Sequence, residues 1–390
     1  MSTYDKNLPE ELTRRRVYDE SFPPKLKDPK NLSAIQDVIF NGNGISTDVI
    51  QPSEQDETEY VEFCRIVASV GLNEARIAGW AFNPYFDIRH PLEEEHASGI
   101  NQRWIDFPEP KIHQKPSPDY FEGLVSEKLP EWVEKHLKNY ARPVPGIAFP
   151  NFLAELKAEG SMKIGHTQCR LGGACAARGY YELHGLYGNP DDVVLNTALV
   201  GTIEFNGEVC VGNIHWVDKP STDLGELEYH MKRVFCFFTK GLGVKDFIKG
   251  RRVARSFRAY FAELRAGHLK RLEGLKSRSH PLHYMKFKIP ALVKELEDRK
   301  LSTKGSKGDL VKRLEKDDSE RNTEALENLI EAVGHAYVNS QGSNPSRSFE
   351  DQGTSSQGHS FRSQKRAREA DNADEIQSTS AQKRIRESAN

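Results

Sequence analysis

The stretch FPNFLAELK (149–157) decides the fold, because an apolar run with charge at alternate positions near its end predicts a buried strand. Side chains alternate between the two faces of a strand. Three apolar side chains then share one face, and Glu155 and Lys157 share the other. A short helix that buries two leucines is the alternative that the same letters allow.

Elements on both sides of this stretch predict a mixed α/β domain. A helix with small side chains is expected over 166–187, and a hairpin with a tight turn over 193–217. A further strand is expected over 230–238. Additional helices are expected over 56–80, 124–140 and 245–275. The predicted fold class is therefore α/β, with a mixed sheet flanked by helices.

The charge of the 390-residue chain is small in total but very uneven. The chain has 55 Lys and Arg against 57 Asp and Glu, for a net charge of -2. Residues 249–316 contain 20 basic and 7 acidic residues, so this segment carries +13 and the rest carries -15. A basic segment of this kind is typical of nucleic-acid binding.

No apolar run reaches the roughly 18 residues of a membrane helix. The first residues lack the apolar core of a signal peptide.

Acidic side chains near the 149–157 strand suggest metal-dependent chemistry. Asp119 follows prolines that keep its segment out of a helix. On a neighbouring strand, Asp119 and Glu155 would offer hard oxygen ligands to Mg²⁺. Lys157 would orient a bound water or stabilise developing negative charge. Charged pairs are common on solvated surfaces, which is the alternative for this pattern.

Four motifs together resemble the PD-(D/E)XK nuclease superfamily, which has the restriction-endonuclease-like fold. They are Asn73-Glu74-Ala75, KPSPDYFEG (115–123), FPNFLAELKAEGS (149–161) and HTQCRLGGACAA (166–177). The resemblance implies an αβββαβ core and a Mg²⁺ cofactor on Asp119 and Glu155. It implies a catalytic set completed by Lys157, Glu74 and Gln168, although Glu74 could instead cap or salt-bridge its helix. More narrowly, over half of the chain is similar to a fungal domain of unknown function assigned to this superfamily.

The segment IPALVKELEDRKLSTKGSKGDLVKRL (289–314) resembles the SAP motif, a helical hairpin that binds DNA. The matching positions are Leu292, Val293, Leu296, Leu301, Gly305, Leu310, Val311 and Leu314. The resemblance implies phosphate contacts from the basic residues Arg299, Lys300, Lys304, Lys307, Lys312 and Arg313. Lys300 stands where the family usually has Gly. A hairpin used for protein contact is the alternative.

Two further basic regions need a role. The 245–275 helix begins with cations that predict either a solvated face or a second phosphate-contacting surface. They are Lys249, Arg251, Arg252, Arg255 and Arg258. The polar tail carries two clusters similar to nuclear-localisation signals, which predict a nuclear protein. They are Lys365, Arg366 and Arg368, then Lys383, Arg384 and Arg386.

The chain is predicted to divide into five segments. They are a loosely ordered arm with at most one short helix (1–55), the nuclease-like domain (56–280), the SAP motif (286–318), a short helix (319–338) and a disordered basic tail (339–390). The predicted function is a nuclear protein that binds double-stranded DNA and carries a Mg²⁺-dependent nuclease. The alternative is a catalytically silent domain that acts as a chromatin or protein-interaction scaffold.

Overall fold

The centre of the fold is a mixed sheet of seven strands. They are Val17–Tyr18 (β1), His96–Ile100 (β2), Tyr120–Val125 (β3), Ile147–Leu156 (β4), Val200–Phe205 (β5), Val209–Asp218 (β6) and Glu228–Phe238 (β7). Their order across the sheet is β1-β7-β6-β5-β4-β3-β2. The pairs β1–β7 and β4–β5 are parallel, and the other neighbours are antiparallel.

The structure is a computed structural model that describes residues 6–21, 27–41, 50–69, 73–88, 96–104, 110, 112, 114–131, 133, 137, 142–158, 162–185, 194–219, 226–275, 284 and 288–340. Its α-helices are Leu8–Arg14 (α1), Leu32–Gln36 (α2), Glu54–Ala68 (α3), Glu74–Arg76 (α4), Asn83–Phe86 (α5), Met162–Gly185 (α6), Val244–Leu275 (α7), Ile289–Asp298 (α8) and Lys307–Ser340 (α9). The segments Asp37–Asn41 and Ile77–Phe82 are π-helical, and Ser126–Lys128 is a 3-10 turn. Within these ranges, no helix combines the length and apolar character of a membrane span. Helices lie on both faces of the sheet, which confirms the predicted α/β class.

The strand β4 lies inside the sheet, between two apolar cores. All ten of its residues are buried. Phe152, Ala154 and Leu156 pack into one core with aromatic side chains of α5 and α7. The small side chains of α6 belong to the other core. Glu155 and Lys157 face α6, because a Cβ added at Gly165 would meet Lys157 Cγ at 3.3 Å. The predicted strand is confirmed, and the helical alternative for this stretch is wrong.

The basic helix α7 lies inside the domain. Three of the cations near its start, Arg251, Arg255 and Arg258, are bound by other groups of the protein and form neither a solvated face nor a phosphate-contacting surface. Arg258 is 2% exposed and donates from Nε to Glu122 Oε1 at 2.6 Å. Arg265 donates to Glu122 Oε2 at 2.9 Å. Arg251 pairs with two carboxylates of α3, and Arg255 donates to two backbone carbonyls of α5. For Arg251, Arg255 and Arg258 both predicted alternatives are therefore wrong, because their charges are used to hold the fold together.

The N-terminal segment is built into the α/β body, contrary to the prediction of a loosely ordered arm. The strand β1 pairs in parallel with β7. Leu8 and Leu12 of α1 are fully buried. Asn31, before α2, exchanges two hydrogen bonds with the backbone of Ala198, both of 2.9 Å. The composition of this segment could not predict this arrangement. The edge of the sheet supplies the backbone hydrogen-bond partners, so a few apolar side chains are enough to hold the segment in place.

Two predicted helices are wrong in extent. Tyr120–Val125 is strand β3 and Ser126–Lys128 a 3-10 turn, where a surface helix was expected from residue 124. Five of the six β3 residues are buried, so the strand shows no polar alternation in the sequence. The helix expected over 56–80 ends at Ala68, and the chain re-enters helical structure as α4 and the π-helical segment Ile77–Phe82.

A partly buried ion cluster fastens the segment after β1 to α6. His166 contacts Glu204 through Nδ1 at 2.9 Å and Asp19 through Nε2 at 3.3 Å. Arg170 pairs with Asp19 at 3.0 Å. Burial alone would lower the pKa of His166, but the hydrogen bonds to Asp19 and Glu204 raise it to about 9. The imidazole is therefore charged at neutral pH and joins two carboxylates.

We expect this cluster to make folding stability fall as the pH rises through about 9. The pKa of His166 is higher in the folded state, so its contribution is complete below about pH 6.5 and is lost as the pH passes the folded value. The contribution is at most about 3 kcal/mol. Urea unfolding of the intact chain and of His166→Gln across this range checks the prediction. Equal pH slopes for the two proteins would contradict it.

Candidate active site and DNA-binding hairpin

Asp119, Glu155 and Lys157 meet at the end of β4, on the side of the sheet that faces α6. Lys157 Nζ lies 3.0 Å from Asp119 Oδ2 and 3.2 Å from Glu155 Oε2. Glu155 and Lys157 are only 4% and 2% exposed. The structure thus brings these three predicted residues together, and the solvent-exposed alternative for Glu155 and Lys157 is wrong. We call Asp119, Glu155 and Lys157 the carboxylate–lysine cluster.

Strand register explains how two acids so far apart in sequence become neighbours. Tyr120 pairs with Ala154 in the antiparallel β3–β4 ladder, so the residue before Tyr120 lies across from Glu155. The backbone N–H of Leu156 donates to Asp119 Oδ2 at 2.6 Å, which fixes that carboxylate at the strand end. The long spacer between the two acids therefore includes β3, which brings Asp119 beside β4.

Glu74 approaches the carboxylate–lysine cluster from α4. Its Oε1 lies 3.9 Å from Lys157 Nζ, and its side chain is 41% exposed. The side chain of Asn73 caps α4, because its Oδ1 accepts from the Arg76 N–H at 3.0 Å. A capping role for Glu74 is therefore wrong, and the ion pair that Glu74 does form is directed at Lys157.

Burial and mutual repulsion control the charges of the cluster. Burial raises the pKa of Glu155 well above its usual value, and the neighbouring Asp119 raises it further, although Lys157 opposes both effects. Burial also raises the pKa of the more exposed Glu74. Burial alone would lower the pKa of Lys157, but Glu155 and Asp119 raise it above its usual value. The ammonium is thus the positive charge that holds the carboxylates together.

The donor set of the cluster fits a hard divalent cation. Among the residues that the structure describes, no group of three or more His, Cys, Asp and Glu side chains forms a ready metal cage. Mg²⁺ does not need one, because it keeps several waters and uses one or two carboxylates together with substrate phosphates. Asp119 and Glu155 supply two such carboxylates within 3.2 Å of one Lys157 nitrogen.

The helix α6 covers the cluster through Gly165, where a Cβ would come within 3.9 Å of Glu155 Cβ as well as close to Lys157. Gln168 lies one turn further along the same helix and is 8% exposed. Its buried Oε1 has no hydrogen-bond partner among the described residues. Gln168 Oε1 makes no hydrogen bond to the carboxylates, which are also described residues, so its predicted catalytic role rests on its place on α6.

Sequence reasoning missed a second buried carboxylate beside the cluster. Glu204 of β5 is the register partner of Glu155 in the parallel β4–β5 ladder. It contacts His166 Nδ1 and accepts a hydrogen bond from Asn213 Nδ2, both at 2.9 Å. The available signal was a lone acid in the otherwise uncharged strand VGTIEF. The carboxylate of Glu204 is bound by His166 and Asn213, whereas the ion pairs of Lys157 within the described residues are with Glu74, Asp119 and Glu155, so we assign Glu204 to the fold rather than to the chemistry.

The predicted SAP segment forms a helical hairpin, α8 and α9, around its own small core. The core contains the expected apolar residues Leu292, Leu296, Leu310, Val311 and Leu314, together with Tyr284. Val293 and Leu301 pack against this core. The second helix begins with a capping box in which the Ser306 N–H and Oγ donate to Asp309 Oδ2 at 2.9 and 2.7 Å. The helix α9 continues to Ser340, so the separate short helix predicted over 319–338 is wrong.

The basic residues of the hairpin divide into structural and exposed groups. Arg299 is bound by carboxylates, with Nη1 3.0 Å from Asp317 Oδ2 and a further contact to Asp318 Oδ1 at 2.6 Å. Its side chain is 9% exposed, so this placement argues against the predicted phosphate contact. Arg313 donates to carbonyls of the turn, at Ser302 and Lys304. Exposed side chains are presented by Lys300, Lys304 and Lys312, and Lys307 is half-buried.

Lys300 occupies a backbone position that favours glycine. Its φ is +61°, and it follows α8 with hydrogen bonds that close the helix end, including Leu301 N–H to Leu296 O at 2.8 Å. Glycine adopts this conformation without the cost that a side chain adds. We expect Lys300→Gly to stabilise the hairpin by about 1 kcal/mol.

Hydrogen exchange of the intact chain measures this effect at the amides of 292–314. Slower exchange in Lys300→Gly is expected. Lys304 does not have a positive φ, so Lys304→Gly should exchange no more slowly than the unchanged protein. Faster exchange in Lys300→Gly would contradict the prediction.

Two family profiles match the chain. The SAP domain matches residues 283–319, and a domain of unknown function (DUF7924) matches residues 86–273. A search of curated proteins found no match. The first match confirms the predicted SAP motif and indicates DNA binding. The second includes Asp119, Glu155, Lys157 and Gln168 but begins after Glu74. Neither description names a nuclease, so the resemblance to PD-(D/E)XK nucleases and the fungal origin stay predictions.

Proposed function

We propose that the protein is a DNA-associated, Mg²⁺-dependent phosphodiesterase of the nuclease class, and that the SAP hairpin holds it on its substrate. The observation that carries this proposal is the carboxylate–lysine cluster, in which two carboxylates contact one buried ammonium at 3.0 and 3.2 Å. The element order supports it as well. The antiparallel strands β2, β3 and β4, then α6, then β5 parallel to β4, agree with the αβββαβ core that the resemblance implies.

The side chains of the cluster have distinct tasks in such a reaction. In hydrolysis, a water oxygen bonds to phosphorus while the bond from phosphorus to the leaving sugar oxygen breaks. A Mg²⁺ held by Asp119 and Glu155 would polarise the phosphoryl group and lower the pKa of a bound water. Lys157 can hydrogen-bond the attacking water or stabilise charge on the phosphoryl oxygens. Glu74 is the most exposed carboxylate and can accept the proton that water releases.

The SAP hairpin supplies sequence-tolerant binding in this proposal. Exposed lysines at the turn and on α9 neutralise phosphates, and such binding weakens steeply as salt rises. Duplex DNA is the form we propose for this contact. We also propose a nuclear location, for which the two basic tail clusters are the sequence signal. Those clusters, at 365–368 and 383–386, lie outside the described residues.

A cleavage assay on the intact chain tests the proposal. Plasmid and single-stranded DNA are incubated with the protein in Mg²⁺, in Mn²⁺ and in a chelator, beside a Glu155→Ala control. We expect cleavage in either metal, none in the chelator, and none by Glu155→Ala. Cleavage that survives the chelator, or equal cleavage by both proteins, would remove the support for a metal-dependent centre.

A second candidate is a catalytically silent scaffold that binds DNA. It is favoured by one observation, that the Lys157 ammonium forms ion pairs with three described carboxylates, those of Glu74, Asp119 and Glu155, as in a structural ion network. In this case Glu155→Ala lowers stability and changes no activity, whereas charge reversal of Lys304 and Lys312 abolishes retention on duplex DNA. Normal folding with lost DNA processing in Glu155→Ala would exclude this candidate.

A further inference from the structure

The helix α9 belongs both to the SAP hairpin and to the α/β body. Its first turns contribute Leu310 and Leu314 to the core of the hairpin. Further along, Leu329 and Ile330 pack against both apolar cores of the α/β body. The helix is continuous over Lys307–Ser340, which is about 50 Å at about 1.5 Å per residue. One helix therefore carries the contacts to both parts of the chain.

The contact between α9 and the α/β body is close at Gly267 of α7. A Cβ added at Gly267 would lie 2.7 Å from Leu329 Cδ2, nearer than such atoms approach one another in proteins. The missing side chain thus leaves the space that Leu329 fills. The helix α9 also contacts α2 and the segment Asp37–Asn41. The end of α9 is therefore held between α7 and the N-terminal elements of the body.

The SAP hairpin is fastened to the same helix by an ion cluster as well as by its core. Asp318 of α9 contacts Arg299 at 2.6 Å and accepts a hydrogen bond from the Tyr284 hydroxyl at 2.8 Å. Arg299 directly follows α8, and its side chain is only 9% exposed. Rotation of α8 about α9 would separate a largely buried guanidinium from its carboxylates, which is costly. The hairpin and α9 therefore form one unit.

The part of α9 between these two attachments is short and has no residue that commonly kinks a helix. Residues 319–328 span about 15 Å, and residues 309–333 include neither Gly nor Pro. Two ion pairs one turn apart lie at the start of this part. They join Arg321 to Asp317 at 2.9 Å and Lys316 to Glu320 at 3.6 Å. A helix of this length and composition is a stiff link.

We propose that α9 is a rigid connector, with Gly267 and Leu329 as its positioning residues. It holds a duplex bound to the SAP hairpin at a fixed distance and direction from the carboxylate–lysine cluster. A flexible linker would let the cluster reach many bonds around the bound duplex. A rigid connector allows both contacts only at one separation. The inference rests on the proposed function for cleavage, and it adds a substrate requirement, a duplex long enough to extend from the hairpin to the cluster.

Distances between two spin labels, measured by pulsed electron paramagnetic resonance, test the rigid connector on the intact chain without DNA or metal. The labels are placed at Lys304→Cys in the hairpin and Glu208→Cys on the body, both exposed positions. Cys64→Ser and Cys236→Ser remove the two cysteines that are not buried. We expect one narrow distance distribution. Seven alanines inserted after Glu324 add nearly two whole turns, so the distance should shift by up to about 10 Å and stay narrow.

Three variants of the labelled protein make the result specific. Gly267→Leu and Leu329→Glu change the contact from opposite sides, and each is expected to release α9 and broaden the distribution. Gly79→Leu is the matched control, because a Cβ added at Gly79 meets no atom within 4 Å, and it should leave the distribution narrow. A broad distribution in the unchanged sequence would overturn the inference. So would a narrow one that persists in Gly267→Leu or in Leu329→Glu.

Cleavage of a series of duplexes of increasing length in Mg²⁺ relates the connector to the proposed function. At low protein concentration, we expect the rate to rise at a threshold length. The insertion of seven alanines should move that threshold by up to about three base pairs, at about 3.4 Å per base pair. Cleavage without any threshold would contradict the substrate requirement. A narrow distance distribution without any cleavage would reject the nuclease proposal and leave the rigid connector supported.

Discussion

Replacing Glu155 with Gln is expected to reduce the rate of DNA cleavage by about 10³-fold or more while the fold stays intact. Gln keeps the size of the side chain, so the packing between β4 and α6 is preserved. It removes one of two carboxylates that can hold Mg²⁺, and metal stabilisation of transition-state charge is worth several kcal/mol. At about 1.4 kcal/mol for each factor of ten, this loss corresponds to the expected reduction.

A matched variant separates chemistry from general disturbance of the sheet. Glu204→Gln changes the register partner of Glu155, also a buried acid, but one that is bound by His166 and Asn213. We expect Glu204→Gln to reduce stability and to leave the cleavage rate of the folded protein within about twofold. Single-turnover rates with saturating protein measure both variants. Equal losses in the two would mean that cleavage depends on the sheet and not on Glu155.

Replacing Glu122 with Gln is expected to lower the free energy of unfolding by about 3 to 5 kcal/mol. Glu122 is fully buried and accepts hydrogen bonds from Arg258, Arg265 and the hydroxyl of Tyr120. Burial alone would raise the pKa of Glu122, but Arg265 and Arg258 lower it, so the carboxylate is charged. Without that charge, two guanidinium groups that are 2% and 3% exposed lose their counter-ion.

Urea unfolding of the intact chain measures this effect, with Glu208→Gln as the control. Glu208 forms an exposed ion pair with Lys240 at 3.6 Å, and its side chain is 63% exposed. Exposed pairs contribute little, so we expect a change within about 0.5 kcal/mol. Similar shifts for Glu122→Gln and Glu208→Gln would show that the buried network is not a main source of stability.

The sequence could predict the part of the site that depends only on how side chains alternate along a single strand. Glu155 and Lys157 share a strand face because side chains of a strand alternate, and that holds wherever the strand lies. Their approach to Asp119 could not be read in this way. It depends on the register of β3 against β4, and that ladder shifts between Glu122 and Leu124. Register is set by long-range pairing and packing.

The same dependence on long-range pairing explains why the sequence did not predict the roles of the arginines in α7 and in the SAP hairpin. Helical spacing identified an apolar side of α7, but it could not show that Arg258 and Arg265 reach across to one buried carboxylate of β3. In the SAP hairpin, the motif located the turn and the apolar core correctly. It did not reveal that Arg299 is held by Asp317 and Asp318, which lie beyond the motif in a helix that continues to Ser340.

Binding of Mn²⁺ to the intact chain, followed by electron paramagnetic resonance, tests the central claim most directly. The claim is that Asp119 and Glu155 form a metal centre with Lys157 beside it. The account predicts a bound ion in the unchanged protein that is lost in both Asp119→Asn and Glu155→Gln and retained in Glu204→Gln. Absence of binding by the unchanged protein, or equal binding by all four proteins, would contradict the account.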